Sequence, residues 1–165
     1  MPTIRNGNLL HATEGFILQQ TNCVARRPHG LSLSIANQFP YCHVYTNRLG
    51  RGNFALDGER PVPGSLEFFR SPDGTGPTIV CLNAQYAFGT PGSYSQNKDI
   101  DSYALRIRWF KECLQTFAQC SGAKAVAMPY GIGCGLAGGN WDQDYYPAIF
   151  EWEEEAKIAV VLYKL

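Results

Sequence analysis

An excess of charge of either sign is absent: 14 Lys and Arg balance 14 Asp and Glu in 165 residues, and charged side chains make up only 17 % of the chain. No global field therefore favours nucleic acid or an anionic membrane surface, although a local basic site stays open. Histidine is scarce. His11, His29 and His43 have no ligand spacing with one another or with an acidic cluster, so neither a metal site nor a cofactor is expected. Long apolar runs are missing as well. None approaches the span of about 20 residues that crosses a bilayer, and Met1-Pro-Thr-Ile-Arg5 lacks the apolar core of a signal peptide. These absences predict an intracellular protein, cytoplasmic or nuclear. Six cysteines are present, but no CxxC pair occurs, and Cys23, Cys81 and Cys134 lie in or beside apolar strand-like runs, so free, reduced thiols are expected. No repeat or low-complexity tract is visible. The length and a hydrophobic content of 45 % suit one domain over residues 1–165 with a single core, expected to be monomeric.

What is present is an alternation of two periods. Strand-like runs rich in β-branched and aromatic residues occur at Thr3–Arg5, Phe16–Asn22, Leu66–Phe69, Thr78–Gln85, Lys124–Met128 and Ile158–Tyr163. Helical spacing is clearest at Ser102–Cys120, where Leu105, Trp109, Cys113, Leu114 and Phe117 form a stripe and Arg106, Arg108 and Lys111 fall elsewhere. A second helix is predicted over Leu31–Phe39, ending before Pro40, and a third from Trp141 to Ala156. Pro147 predicts a break in that third helix or a later start. Strands alternating with helices imply α/β layering around a mixed six-stranded sheet, with ligands at the carboxyl ends of the strands. Residues 47–64 and 88–98 read as long surface excursions.

Two strand-to-helix turns could carry chemistry. In Met128-Pro-Tyr-Gly-Ile-Gly-Cys-Gly-Leu-Ala-Gly-Gly-Asn-Trp141, five glycines fall within nine residues, and Asn140 has the spacing of an N-cap. Such a turn lets backbone N–H groups approach an anion at a helix start; a purely structural turn is the alternative. The Lys-Ser or Lys-Thr of a Walker loop does not follow it. The other turn runs from Gln19-Gln-Thr-Asn-Cys23 to Ser34. There Asn22 could bind a sugar hydroxyl or merely cap a turn. His29 could be a general acid or base or an exposed loop residue. Arg26 and Arg27 could reach a phosphate or lie solvated on the surface. Cys23 and Cys134 are read as packing residues, because a nucleophilic thiol needs a base and an electropositive pocket. Glu151-Trp-Glu-Glu-Glu155 reads as a solvated helix face, and Tyr163 as a core residue or a cover for a purine.

Taken together, Arg5-Asn-Gly-Asn-Leu-Leu10, Gln19-Gln-Thr-Asn-Cys23, Pro28-His-Gly-Leu-Ser32, Tyr130-Gly-Ile-Gly-Cys-Gly-Leu-Ala-Gly-Gly139 and Val160-Val-Leu-Tyr-Lys-Leu165 resemble the macrodomain family, in order and spacing across nearly the whole chain. Within it the chain resembles most the branch of the terminal ADP-ribose protein glycohydrolase and the ADP-ribose 1''-phosphate phosphatase, the Gly133-Cys-Gly-Leu136 core being the most specific element. The resemblance implies a three-layer α/β/α fold with an ADP-ribose cleft at the strand ends. It places Asn8 and Leu9 beside the adenine, with Tyr163 near it. Asn22 and the loop from Cys23 through Gly30 and Leu31 to Ser32 would form the distal-ribose wall. Gly131, Ile132, Gly133, Cys134, Gly135 and Leu136 would cradle the diphosphate, and Gln20 and Tyr130 would be further substrate-binding residues.

The chain departs from that pattern where chemistry is concerned. Asn8 stands where many macrodomains carry Asp, Ala137 where the glycohydrolase branch carries an acid/base Asp, and the Gln85–Tyr86 region where it carries a nucleophilic Lys. Asp142 and Asp144 offer carboxylates at a different spacing. The expectation is a hydrolase of ADP-ribose derivatives, either the 1''-phosphate or protein-linked ADP-ribose, with Asn22 and His29 as its catalytic residues. A non-catalytic reader of ADP-ribose or of an ADP-ribosylated partner is the alternative, and a nucleotide- or RNA-related activity on the same fold comes third.

Overall fold

The computed structural model describes residues 1–165. Its main sheet holds β1 (Thr3–Asn6), β2 (Phe16–Asn22), β5 (Leu66–Phe69), β6 (Thr78–Gln85), β7 (Ala125–Pro129) and β8 (Ala159–Lys164) in the order β1-β8-β7-β2-β6-β5. Only edge strand β5 runs antiparallel, against β6; the remaining pairs are parallel. The sheet is therefore mixed, as the sequence predicts, and its strands lie within a residue or so of the expected runs.

Parallel strands must be covered on both faces, and the side chains divide accordingly. Leu18, Val80, Leu82, Val126, Met128, Val160 and Leu162 point to one side, where they pack beneath α2 (Tyr103–Ser121) and α3 (Tyr146–Ala156). Ile17, Ile79, Cys81, Ala127, Val161 and Tyr163 alternate to the other, under Ile35 of α1 (Gly30–Gln38) and the segment that carries Cys42, Val44 and Tyr45. The result is a three-layer α/β/α arrangement.

Helix α2 starts where the Ser102 hydroxyl accepts from Leu105 N at 3.1 Å and stops at Gly122, whose φ of 66° only glycine adopts cheaply. Its buried stripe is Arg106, Trp109, Phe110, Cys113, Leu114 and Phe117. Here the sequence reading needs correction, since Arg106 faces inward and is 1 % exposed. An arginine can occupy that place because all its donors find acceptors, described below. The glutamate run also departs from a fully solvated face: Trp152 is buried, its indole N–H donating to the Leu114 carbonyl at 2.8 Å, and Glu153 accepts from Val160 N at 2.7 Å.

Pro147 is accommodated by the later start. Trp141–Tyr145 form a wide π-type turn capped by Asn140, whose Oδ1 accepts from Gln143 N at 3.0 Å. The α-helix proper begins at Tyr146, so Pro147 sits in its first turn, where a missing N–H costs nothing. The 47–64 excursion is ordered too, with a two-stranded hairpin of β3 (Gly50–Arg51) and β4 (Phe54–Ala55) followed by a 3-10 turn at Asp57–Glu59.

Candidate functional site

The carboxyl ends of β2 and β6 diverge at a bulge, Gln20 pairing with Leu82 but Asn22 with Gln85. One extra residue on β6 twists the strand ends apart and re-aims their side chains. A cleft of about 490 Å³ opens there, floored by Gln19, Gln20 and Gln85. Gln20 Nε2 donates to Gln85 Oε1 at 2.8 Å, and Gln85 Nε2 donates to the Ala87 carbonyl at 2.9 Å, which fixes both amides. Gln20 Oε1 is buried without a hydrogen-bond partner.

Asn22 forms the inner end of one wall. Its Oδ1 accepts from Val24 N at 3.1 Å and Ala25 N at 2.8 Å, an Asx-type turn that bends the chain out of β2. Its Nδ2 donates to the Tyr45 hydroxyl at 3.3 Å. Beneath lies Arg48, 4 % exposed, which donates to the carbonyls of Asn22 at 2.8 Å and Ala25 at 3.0 Å and pairs with Glu67 at 3.2 Å. The guanidinium also stacks over the Tyr45 ring, 4.8 Å from its centroid. Burial pushes the Tyr45 phenol well above its usual range, so it stays a neutral partner.

The wall continues into α1. Ser32 closes the start of that helix by accepting from His29 N at 3.0 Å and donating to the His29 carbonyl at 2.8 Å. This leaves His29 exposed at the cleft mouth beside Arg27, Leu31 and Asn53. Arg26 points away, donating to the carbonyls of Arg48 and Gly52. The cleft lining includes Arg27 and no Asp or Glu, so its local charge suits an anion even though the chain is neutral overall.

The glycine loop forms the opposite wall. Gly131, Gly133 and Gly138 have φ of 80°, 78° and 76°. At Gly133 a Cβ would stand 2.5 Å from the Tyr145 ring, so this position needs glycine twice over. From Gly133 the loop has a Gly-x-Gly-x-x-Gly spacing, but the next α-helix begins only at Tyr146, so the tight strand–turn–helix context of the dinucleotide fingerprint is absent. The Ile132 side chain plugs into the core, and Gly135 faces open space.

Of the residues singled out from the sequence, the fold brings Gln20, Asn22, His29, Leu31, Ser32 and Leu136 to the cleft lining. Gly30 begins α1 with a positive φ of 54° just behind His29. Others lie outside the lining. Asn8 caps a 3-10 turn, accepting from Leu10 N at 3.0 Å, and Leu9 is buried in the core. Tyr163 is 8 % exposed, and its hydroxyl donates to Glu14 at 2.7 Å while accepting from Arg5 at 3.1 Å. Tyr130 packs between Lys164 and Trp141. Cys23 is fully buried, with its thiol pushed by desolvation to about 12, and the Cys134 thiol is pushed in the same way to about 11. Both are protonated at neutral pH and poor nucleophiles. All six cysteines are free, and no cluster of His, Cys, Asp or Glu is arranged to hold a metal.

Gln85 at the end of β6 and Ala137, the two departures from the family pattern, both line the cleft. Sequence reasoning missed Phe88 and Gly89, which line it beyond β6. Phe88 joins a cluster at the rim, its ring 5.9 Å from that of Phe54, which lies 5.6 Å from Tyr94. Of the two buried arginines, Arg48 was not singled out, and Arg106 was placed off the buried stripe although it falls three and four residues before Trp109 and Phe110.

Neither a protein-family model nor a curated protein sequence matches the chain. Solved structures do. The macrodomain of Mycobacterium tuberculosis DarG superposes with a TM-score of 0.73 at 18 % identity over 100 % of this chain and 98 % of that one. The macrodomain of Thermus aquaticus DarG gives 0.63 at 18 %, covering 100 % and 99 %. A Trypanosoma brucei macrodomain in complex with ADP-ribose gives 0.62 at 9 %, covering 97 % and 62 %. At these identities the likeness is one of architecture: the chain has the macrodomain fold.

Proposed function

We propose that this protein binds ADP-ribose in the cleft between the Asn22–Ser32 wall and the glycine loop, and hydrolyses a derivative substituted at the distal ribose. The observation that carries the reading is the convergence of an acid-free polar cleft with a glycine loop held in positive-φ conformations at the carboxyl edge of a macrodomain sheet. The presence of ADP-ribose in the trypanosome macrodomain structure supports the ligand class. The loop's backbone N–H groups would meet the diphosphate, and the fixed Gln20–Gln85 floor would meet ribose hydroxyls.

In this reading His29 is the proton carrier. It takes a proton from the attacking water and returns it to the leaving group, so that a 1''-phosphate leaves as inorganic phosphate or a protein acceptor leaves with its own hydrogen restored. No lysine or aspartate stands in the cleft for the covalent route that the family resemblance implied. That absence favours a second reading, a non-catalytic reader of ADP-ribose, and so does the engagement of the Asn22 carboxamide oxygen by two backbone N–H groups.

One experiment separates them: incubation with ADP-ribose 1''-phosphate and with ADP-ribosylated protein, alongside a thermal shift with ADP-ribose. Consumption of either substrate supports the hydrolase. A shift without consumption makes the protein a reader, and no shift at millimolar ADP-ribose removes both readings.

A further inference from the structure

Arg106 is the most buried charged side chain in the chain, and it lies on α2, an element that supplies nothing to the cleft lining. Its guanidinium nevertheless reaches both of the cleft's outer segments. Nε and Nη2 grip Asp101 in a bidentate pair at 2.8 and 2.7 Å. Nη2 also donates to the Ala87 carbonyl at 3.1 Å, and Nη1 donates to Gly89 at 2.6 Å and to Ala137 at 3.5 Å. A guanidinium has five N–H donors in a planar fork, and here each has an acceptor. Asp101 extends the same knot by accepting from Ala87 N at 3.3 Å.

Gly89 and Ala137 both line the cleft, one after β6 and the other in the glycine loop. They come from segments that share no ladder of backbone hydrogen bonds. The loop's own bonds are short-range, Cys134 N to Gly131, Gly138 N to Gly135 and Gly139 N to Gly133, and they shape the loop without tying it to the opposite segment. Within this polar network the tie between the two is one buried cation.

We infer that Arg106 is the positioning residue of the cleft, a guanidinium held by Asp101 that sets the distance between the Ala87–Gly89 segment and the glycine loop and so controls ligand affinity without touching the ligand. Lysine cannot replace it, because one ammonium has three donors and no fork to span Asp101 and three carbonyls. The inference rests on the cleft being the ligand site, but the tie itself can be tested without any ligand.

The test compares Arg106→Lys and Asp101→Asn with wild type and with Phe117→Leu, a core change far from the polar network that reports what lost stability alone does. Amide hydrogen exchange is followed at residues 86–90 and 135–139, and ADP-ribose affinity is measured, both well below every variant's melting point. The expected result is faster exchange in both segments for Arg106→Lys and Asp101→Asn, with Kd raised by about tenfold or more, the scale on which a misplaced wall acts. Phe117→Leu should move neither. Unchanged exchange in the two polar variants, unchanged affinity despite faster exchange, or equal effects of Phe117→Leu would overturn the assignment. So would the failure of both polar variants to fold, which would make the pair a stability element only. If the wild type shows no ADP-ribose affinity, the functional reading fails separately and the exchange data alone decide whether the tie exists.

Discussion

The Tyr45 hydroxyl sits under Asn22 and accepts from it twice, from the backbone N–H at 3.0 Å and from Nδ2 at 3.3 Å. A phenol thereby orients the residue at which β2 ends and the cleft wall begins. Tyr45 holds this place with a φ of 73°, rare for a residue with a side chain, so the local backbone is strained to deliver that hydroxyl.

Removing the hydroxyl should therefore be felt. Tyr45→Phe leaves a buried N–H and an amide without their acceptor, and the expected loss is about 1–3 kcal/mol of stability. Urea unfolding of the variant measures it. An unchanged midpoint would mean that water replaces the phenol.

Within the glycine loop, neighbouring positions should respond in opposite ways. Gly133→Ala drives a methyl into the Tyr145 ring at a φ of 78°, and the variant should melt well below wild type. Gly135→Ala meets open space and should fold normally. Gly135→Val should also fold but lose the ligand-induced thermal shift, which for wild type at one hundred times Kd corresponds to about 2.7 kcal/mol. Retention of that shift in Gly135→Val would remove the loop from the anion site.

His29→Ala should leave folding intact, because the residue is exposed and Ser32 holds its backbone. Turnover should fall by about 10²–10⁴-fold, or roughly 3–5 kcal/mol of barrier, with ADP-ribose affinity nearly preserved. Asn22→Ala should cost about 1–2 kcal/mol of stability, as loss of a comparable cap does, and weaken binding, since Val24 and Ala25 lose their acceptor. Wild-type turnover in His29→Ala would make the histidine a bystander, and Asp142 and Asp144, the carboxylates the sequence offered, lie outside the cleft lining.

The Cys23, Cys113 and Cys134 thiols set a pH dependence. Burial raises Cys23 and Cys113 from 9.0 to about 12 and Cys134 to about 11. The folded state therefore keeps protons that the unfolded chain releases from about pH 9 upward. Their contribution to stability is fully present below pH 9 and is lost as pH rises through 11 to 12. Unfolding midpoints measured from pH 7 to 11 should hold level and then fall. Below pH 9, of the six thiols only the exposed Cys120 should react quickly with an alkylating reagent, as mass spectrometry would show.

The layered fold and the location of the cleft were legible in the sequence, because strand and helix periods are local and because glycines between a strand and a helix mark a turn whatever surrounds them. The residue patterns that mark Thr78–Gln85 and Phe16–Asn22, and the Ser102 cap, lie within a few residues, so short windows contain these signals even though the two strands bond to each other across the chain. What only the tertiary structure decided is where long polar side chains end. Arg48 resembles a surface charge in any window of sequence, and the spacing of Arg106 with the buried stripe does not name its acceptors; both are buried because carbonyls and one carboxylate each, Asp101 and Glu67, converge on them when the layers close. The same closure commits the Tyr163 hydroxyl to Glu14 and Arg5. A hydrogen bond between residues a hundred positions apart leaves no periodic trace in the chain, so the sequence by itself determined the scaffold, and its packing determined which polar groups remain for a ligand.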